Sequence, residues 1–228
     1  MNDSLIAIVP SAGIGNRASF FEKESCPKQY RFLAGIPVIR HTIMSLLSEP
    51  RIKHIFVSVA QNDKWAKNIL KDLPCVSIHN YGGKTRVSTI INTIFNINIA
   101  CNDWILIHDA VRPILPIRYL NSLIDKCYTD SVGGLLALQI TDTIKNESNN
   151  RIIETIDRNH LWLAQTPQMF RAGILKKALS FISDRNISIT DESSAVEMLG
   201  YSPLLIKGTL MNMKITWPED FRLIEKWL

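Results

Sequence analysis

The chain has 228 residues, of which 46% are hydrophobic and 21% are charged, and its formal net charge at pH 7 is +5. This composition is that of an ordinary globular protein with a sizeable core. No apolar stretch approaches the ~20 residues needed to span a bilayer, so a membrane-spanning protein is excluded. The positive charge suits either an anionic partner or a lysine-rich surface. A dense basic run with interleaved aromatic residues is missing, which argues against nucleic-acid binding.

The first residues and the cysteines indicate the compartment. The segment MNDSLIAIVP lacks the basic region of a signal peptide and runs directly into a strand. The four cysteines form no CxxC pair, which argues against a zinc site and a disulfide framework; they are Cys26, Cys75, Cys101 and Cys127. The histidines show no metal-ligand spacing either. We therefore expect a cytoplasmic protein without a metal-ligating residue set of its own.

Strand-like and helix-like segments alternate through the first two thirds of the chain. The strands are predicted at Leu5–Pro10, Ile52–Ala60, Cys75–His79, Trp104–Ile107 and Gly134–Ile140. The helices are predicted at Pro37–Ser48, Asp63–Leu70, Thr85–Ile97 and Ile117–Lys126. This alternation predicts an α/β fold with a mostly parallel central sheet that is flanked by helices on both faces.

The segment Thr141–Ile156 interrupts this alternation. Two β-prone arms surround a polar turn at Asn146–Asn150, which predicts a hairpin. The hairpin has little apolar surface to bury, so we expect a projecting arm, at about residues 140–158, that packs on a second subunit. An exposed surface hairpin is the alternative. Because no repeat or linker is visible, residues 1–228 are interpreted as one domain with this arm.

The remaining segments complete the predicted fold. Helices are predicted at Leu175–Ile182 and Glu192–Leu199, late strands at Leu204–Lys207 and Met213–Ile215, and a closing helix from Pro218. Proline at a helix start and carboxylates in its first turn are favourable there.

The loop after the first strand is suited to a phosphate chain. Small residues let a ligand approach the backbone, and amide donors with nearby cations bind polyanions. The small residues are Ser11, Ala12, Gly13 and Gly15, and the cations are Arg17 and Lys28. Gly13–Ala18 also matches the dinucleotide fingerprint of dehydrogenases. However, no acidic residue lies about 20 positions further on, and the next strand begins too late for a ~30-residue βαβ unit.

Two further polar clusters follow predicted strands, at Gly82–Gly83 and at His108–Asp109. Ligands of parallel sheets bind beyond the carboxyl ends of the strands, so these clusters and the first loop should converge on one cleft. Each cluster also has a simpler interpretation. Asp109 could form a surface salt bridge, and Arg158 could be a solvated charge. Lys214 is unexpected on the late strand predicted around it.

Together these motifs resemble one family. The matching pieces are PSAGIGNR, CPKQY, GGKTRVST, HDAVRP, TDTIK, DRNHLW with AQTPQ, ITDESSA and MKITWPED. In this order and near-family spacing they are similar to the 2-C-methyl-D-erythritol 4-phosphate cytidylyltransferases. The resemblance implies a Rossmann-like nucleotidyltransferase fold and transfer of CMP from CTP to 2-C-methyl-D-erythritol 4-phosphate, with release of pyrophosphate, in non-mevalonate isoprenoid biosynthesis. It also implies a homodimer and a requirement for Mg²⁺, which triphosphate oxygens and water would bind.

The resemblance also implies roles for single residues. It places at the catalytic centre the four cations Arg17, Lys28, Arg158 and Lys214. It places against the nucleotide Ser11, Ala12, Gly13, Gly15, Gly82, Gly83 and Thr89. It places on the polyol-phosphate side Asp109, Ala110, Arg112, Thr143, Thr166 and Thr190. Arg158 and Thr143 match elements through which one subunit completes its neighbour's site.

Several positions differ from the family pattern, and two other functions stay open. Ser11 stands where alanine is common, Lys84 where an acidic residue is frequent, Thr89 where serine is usual and Thr93 where glycine is usual. These differences affect the expected base contacts more than the reaction. A cytidylyltransferase for another polyol phosphate, such as ribitol 5-phosphate, is the closest alternative. A nucleotide-binding protein without catalysis is the second.

Overall fold

The computed structural model describes residues 3–13 and 26–228. Its strands are β1 (Leu5–Pro10), β2 (Phe32–Leu33), β3 (Ile36–Pro37), β4 (Ile52–Ser58), β5 (Val76–His79), β6 (Trp104–Ile107), β7 (Gly133–Gln139), β8 (Ile144–Ser148), β9 (Arg151–Ile156), β10 (Trp162–Arg171) and β11 (Leu204–Lys207). Its helices are α1 (Val38–Leu47), α2 (Ala66–Leu70), α3 (Arg86–Asn96), α4 (Ile117–Tyr128), α5 (Ala172–Asp184), α6 (Glu192–Glu197) and α7 (Pro218–Glu225).

Seven strands form the central sheet in the order β11-β7-β10-β6-β1-β4-β5. β1 pairs in parallel with both β4 and β6, β4 with β5, and β7 with β11. The chain therefore leaves β1 first toward one edge of the sheet and later toward the other. This reversal opens a crevice at the carboxyl end of β1, where α/β proteins bind ligands. The predicted mostly parallel α/β fold is confirmed.

Helices cover both faces of the sheet because the apolar residues of its strands point alternately to the two sides. In β1, Ala7 and Val9 pack on the side of α1 and α4, whereas Ile6 and Ile8 pack on the side of α3 and α5. A smaller cluster forms around α7, where Ile215 and Ile224 are fully buried. The frame beneath the loops is therefore a packed core on each side of the sheet.

Three parts of the fold differ from the sequence-based prediction, and the first is the short antiparallel pair β2–β3, which was not predicted. β10 was not predicted, and it lies antiparallel between β6 and β7. Its sequence, WLAQTPQMFR, contains a proline and polar residues, so the apolar pattern of a buried strand is weak. The strand predicted at Met213–Ile215 is wrong, because a 3₁₀ turn at Leu210–Asn212 leads into irregular backbone. Ile215 is buried there by packing in the α7 cluster rather than by strand pairing.

The predicted hairpin is confirmed as the antiparallel pair β8–β9. Asn149 and Asn150 form its turn with φ values of 53° and 61°. Asparagine tolerates this left-handed region better than most residues, which explains the turn position. Ile152 and Ile153 on β9 are 65% and 62% exposed. Within the described ranges, no helix is both long and apolar enough to cross a membrane.

Candidate active site

A cleft of about 460 Å³ lies beyond the carboxyl ends of β1 and β6 and beside the start of α3. The three loop clusters converge here, as the parallel sheet requires. The predicted site residues that line the cleft are Ser11, Ala12, Gly13, Lys28, Gly83, Thr89, Asp109, Ala110 and Lys214. Gly15 and Arg17 lie outside the described residues. Lys84, which departs from the family pattern, also lines this cleft.

The loop after β1 is held by backbone and side-chain hydrogen bonds. The Ser11 amide donates to the carbonyl oxygen of Ser58 at 2.7 Å, which extends the pairing of β1 with β4. The buried Gln29 amide donates to the carbonyl oxygens of Ser11 and Gly13 at 3.0 and 3.1 Å. Gln29 is part of the motif CPKQY, from which no role for it is predicted. It ties the small-residue loop to the turn that carries Lys28.

The second loop approaches the first at Gly82. A β-carbon on Gly82 would lie 2.7 Å from that of Ala12 and 2.6 Å from the carbonyl oxygen of Val59, so only glycine fits. The Thr89 hydroxyl accepts from the Gly83 amide and donates to the carbonyl oxygen of Thr85, each at 3.0 Å. Thr89 therefore lines the cleft with a hydroxyl that already has two backbone partners.

Asp109 is the electrostatic centre of the site. Its buried carboxylate lies 2.7 Å from Arg86 and 3.0 Å from Lys214, with Arg112 at 3.4 Å. Burial opposes the charged form, but the three cations hold the pKa of this carboxyl well below its usual range. The alternative of a surface salt bridge is wrong, because Asp109 is only 5% exposed. The carboxylate of Asp109 therefore fixes three cations at the cleft.

A buried hydrogen-bond chain supports the backbone of Asp109. The amide of Asp109 donates to Thr166 Oγ1 at 3.0 Å, and this hydroxyl lies 3.0 Å from His108 Nδ1. His108 Nε2 lies 3.3 Å from the carbonyl oxygen of Arg112. These partners require Nε2 to carry the proton and Nδ1 to accept. Burial, with the nearby charge of Arg112, lowers the pKa of His108 to about 3, so the ring is neutral.

A smaller cavity of about 220 Å³ lies on the other side of Asp109. It shares three wall residues with the cleft, namely Arg86, Asp109 and Lys214. The remaining predicted residues in its wall are Arg112, Thr166 and Thr190. Gln168 and Asp191, joined by a hydrogen bond of 2.8 Å, also lie in this wall, together with Ala164 and Gln165. The site thus has two compartments that meet at one charged cluster.

Two predicted site residues lie apart from both compartments. Arg158 follows β9, is exposed, and donates to the carbonyl oxygen of Thr141 across the base of the hairpin. Thr143 is also exposed there. Neither residue belongs to the walls of the two cavities. Within the described part of this chain, therefore, the hairpin residues and the cleft are not brought together.

Arg86 is the main site residue that sequence reasoning did not assign. It lies in both cavity walls and pairs with Asp109 and with Glu192, the first residue of α6. Both residues were within quoted motifs, GGKTRVST and ITDESSA, but their pairing spans 106 positions. The only signal in the sequence was that each motif contains a charged residue, Arg86 or Glu192, for which no partner of opposite charge was predicted.

This fold and site define the chain as an α/β nucleotidyltransferase, an enzyme class whose small-residue loop and cations face a polyanion. The family model described as 2-C-methyl-D-erythritol 4-phosphate cytidylyltransferase matches residues 5–228. A protein of that name from Bordetella pertussis is 50% identical over 228 residues, which is 100% of both chains. The chain therefore belongs to the 2-C-methyl-D-erythritol 4-phosphate cytidylyltransferase family.

Solved structures agree with this assignment. A crystal structure of a 4-diphosphocytidyl-2C-methyl-D-erythritol synthase matches with a TM-score of 0.86 at 35% identity, covering 99% of this chain and 98% of that one. The 2-C-methyl-D-erythritol 4-phosphate cytidylyltransferase of Francisella tularensis matches with a TM-score of 0.84 at 31% identity, covering 99% and 100%. The shared fold therefore extends over nearly the full chain in both comparisons.

Proposed function

We propose that this chain transfers CMP from CTP to 2-C-methyl-D-erythritol 4-phosphate, forming 4-diphosphocytidyl-2-C-methyl-D-erythritol and pyrophosphate for non-mevalonate isoprenoid biosynthesis. Family membership supports the reaction and the substrates. The observation that carries the proposal is that Lys28, Arg86 and Lys214 lie in the wall of one cleft, where Arg86 and Lys214 pair with the buried Asp109. Two anionic reactants could meet there with their repulsion reduced.

The chemistry suits a cleft of fixed cations. A phosphate monoester is already an anionic nucleophile, so its oxygen can attack the α-phosphorus of CTP without a strong general base. The neutral His108, which contacts Thr166 and the backbone, is accordingly not needed as a base. Catalysis then depends on positioning and on stabilising charge that moves toward pyrophosphate. Lys28 would provide a point charge for the triphosphate, and Arg17, outside the described residues, a guanidinium fork.

The two compartments suggest where each reactant binds. The larger cleft, with the small-residue loop and Gly83, would hold the nucleotide. The smaller cavity, with Arg112, Thr166 and Thr190, would hold the polyol phosphate. Asp109 and Lys214 lie in both walls, so attack would take place beside them. The Thr166 hydroxyl already bonds His108 and the Asp109 amide, which favours a supporting role for it.

We also propose a homodimer in which the hairpin completes the partner's site. The exposed isoleucines of β9 would be covered by a second subunit, and Arg158 and Thr143 at the hairpin base would reach the neighbouring cleft. Neither residue lines a cavity of its own chain, which supports this arrangement. A symmetric pair would then contain two equivalent sites.

Mg²⁺ is proposed as the metal and would enter with the triphosphate. Within the described residues, no group of three or more histidine, cysteine or acidic side chains could hold a metal ion. Asp109 is unsuitable as a ligand because its oxygens already pair with three cations. The described residues therefore fit a metal that is bound mainly by phosphate oxygens and water, and Mg²⁺ prefers such ligands. When bound, it would neutralise part of the triphosphate charge.

We propose the cytoplasm as the location of the enzyme. Cys75, Cys101 and Cys127 carry free thiols, which is typical of a reducing compartment. Fractionation of cells that express the tagged full chain tests this proposal, with activity expected in the cytoplasmic fraction. Activity confined to a membrane or periplasmic fraction would contradict it.

Pyrophosphate release by the purified chain tests the reaction. CTP and Mg²⁺ are supplied with either 2-C-methyl-D-erythritol 4-phosphate or ribitol 5-phosphate. We expect release with the methylerythritol phosphate and little with ribitol 5-phosphate. Release with ribitol 5-phosphate alone would replace the substrate assignment. CTP binding without release from either compound would instead favour a binding protein without catalysis.

A further inference from the structure

Arg86 joins two carboxylates that come from distant parts of the chain. Its Nε donates to Asp109 Oδ1 at 2.7 Å, and its two terminal nitrogens donate to Glu192 Oε1 and Oε2 at 2.6 and 3.0 Å. A two-point contact with one carboxylate fixes the plane of the guanidinium as well as its position. Arg86 also lies at the boundary of the two cavities. Its orientation therefore affects the charged cluster between them.

Stability alone does not explain Glu192. Its side chain is 1% exposed, and within residues 3–13 and 26–228 both of its oxygens accept hydrogen bonds from Arg86 only. Burial raises the pKa of Glu192, and the charge of Arg86 opposes this shift. Buried ion pairs contribute little net stability, because desolvation offsets the attraction. Apolar residues of similar size at both positions would avoid that cost, whereas removal of Glu192 alone would leave the charge of Arg86 without this partner.

The local helices do not explain Arg86 either. Arg86 is the first residue of α3, directly after the capping residue Thr85. A cation is unfavourable at this end of a helix because the helix dipole is positive there. Glu192 occupies the corresponding, favourable position in α6, after the cap Asp191. The location of Arg86 is therefore set by its long-range carboxylate partners rather than by its own helix.

The position of Arg86 sets the orientation of the Asp109 carboxylate. Since Oδ1 of Asp109 bonds Arg86, its Oδ2 is turned toward Lys214 at 3.0 Å and Arg112 at 3.4 Å. Lys214 and Arg112 both lie in the wall of the smaller cavity. A rotation of this carboxylate would move the acceptor that holds both cations. The orientation of Asp109 thus depends on Arg86, and that of Arg86 on Glu192.

We propose that Glu192 is a positioning residue for the polyol phosphate: it holds Arg86, and Arg86 holds Asp109 in the orientation that presents the cations of the smaller cavity. This inference rests on the proposed function and deepens it. Glu192 touches neither reactant, and its effect is greater on the polyol-phosphate side than on the nucleotide side. Misplacement of a binding group by 1 Å can cost about 10²-fold in rate.

The test compares Glu192→Gln with Glu197→Gln. Both glutamates lie on α6, and both changes remove one negative charge at nearly constant volume, but Glu197 is exposed. Steady-state kinetics of the full chain are measured by varying each substrate at saturation of the other. For Glu192→Gln we expect the KM for 2-C-methyl-D-erythritol 4-phosphate to rise about tenfold or more, with the KM for CTP within about twofold. Glu197→Gln should resemble the unchanged protein.

The conservative variants supply a second readout. Glu192→Asp should recover part of the loss, since it keeps the charge but shortens the reach to Arg86. If Glu192→Gln does not fold, Arg86→Lys replaces it, because lysine keeps the charge but lacks the two-point contact. Because Arg86 lines both cavities, the expected result for this variant is a raised KM for the polyol phosphate, and the KM for CTP does not decide the test.

Equal kinetics for Glu192→Gln and Glu197→Gln would overturn the inference. So would an equal rise in both KM values together with a lowered melting temperature, since a purely structural role predicts that result. If Arg86→Lys is the variant used, an unchanged KM for the polyol phosphate overturns it. If the unchanged protein releases no pyrophosphate, the proposed function fails, and this inference fails with it. If the unchanged protein is active and the variants have the same KM values as it does, only this inference is overturned.

Discussion

Lys28 donates a hydrogen bond of 2.8 Å from its ammonium group to the carbonyl oxygen of Ile215, 187 positions further along the chain. Ile215 follows Lys214 directly, and the ammonium group of Lys214 lies 3.0 Å from Asp109. The two lysines of the cleft are thus linked through one short segment of backbone, which places the cation proposed for the triphosphate beside the cation proposed for the polyol phosphate.

Replacement of Lys28 should affect turnover far more than folding. Lys28→Ala removes a cation from the cleft wall, and loss of one preorganised donor typically lowers the rate by ~10²–10³. Pyrophosphate release and thermal melting measure the two effects. Lys53→Ala, at an exposed lysine on β4, is the matched control and should be active. Near-normal turnover of Lys28→Ala would remove Lys28 from the mechanism.

The Thr89 hydroxyl should matter for the affinity of CTP. Thr89→Val keeps the shape but leaves the Gly83 amide without its acceptor, at a cost of ~1–3 kcal/mol. We expect the KM for CTP to rise about tenfold, because 1.4 kcal/mol is one factor of ten. Thr89→Ser keeps the hydroxyl and should remain near the unchanged value. Indistinguishable valine and serine variants would show that the Gly83 loop does not need this bond.

His108 should contribute to the dependence of stability on pH. Burial, with the charge of Arg112, lowers its pKa to about 3 in the folded chain, whereas an unfolded histidine titrates near 6.5. Between these values the unfolded state binds more protons, so the free energy of unfolding falls as pH decreases through this window. From pH 7.5 to 5 this amounts to about 2 kcal/mol for one histidine.

Denaturant titrations at these two pH values test the histidine assignment. His108→Gln should lose about 2 kcal/mol of the pH dependence, because glutamine does not titrate. His160→Gln, at an exposed histidine, should retain the full dependence. The comparison concerns the difference between pH values, so an overall loss of stability in His108→Gln does not obscure it. The same slope in both variants would contradict a buried neutral His108.

Mixing two inactive variants tests whether the hairpin acts on the partner's site. A dimer of one Arg158→Ala subunit and one Lys28→Ala subunit would keep one undamaged site, formed by Lys28 of the first and Arg158 of the second. Random exchange of subunits should therefore restore about a quarter of the unchanged activity. Each variant mixed with itself is the control. Absence of recovery after confirmed exchange would place Arg158 outside a shared site.

The amino-acid sequence determined the parts of this protein that depend on local patterns. Alternating apolar strands and amphipathic helices predict the α/β sheet, and the rule for parallel strands brings the loops after β1, β5 and β6 to one cleft. The hairpin was also predictable, since its asparagine turn and β-prone arms are contiguous. Lys28, Asp109 and Lys214 were identified through motifs that each occupy a few residues.

Tertiary structure decided what depends on contacts between distant residues. β10 lies between β6 and β7 and pairs antiparallel with both, a position that its weak apolar pattern does not reveal. His108 is neutral because the folded chain buries its ring and so lowers its pKa, and this burial depends on residues that are distant in sequence. The Arg86–Glu192 pair spans 106 positions, so neither local sequence specifies the partner of the other. Charge and apolar periodicity can be read directly from the sequence. Desolvation and long-range ion pairing arise only when the folded chain brings distant charged groups together.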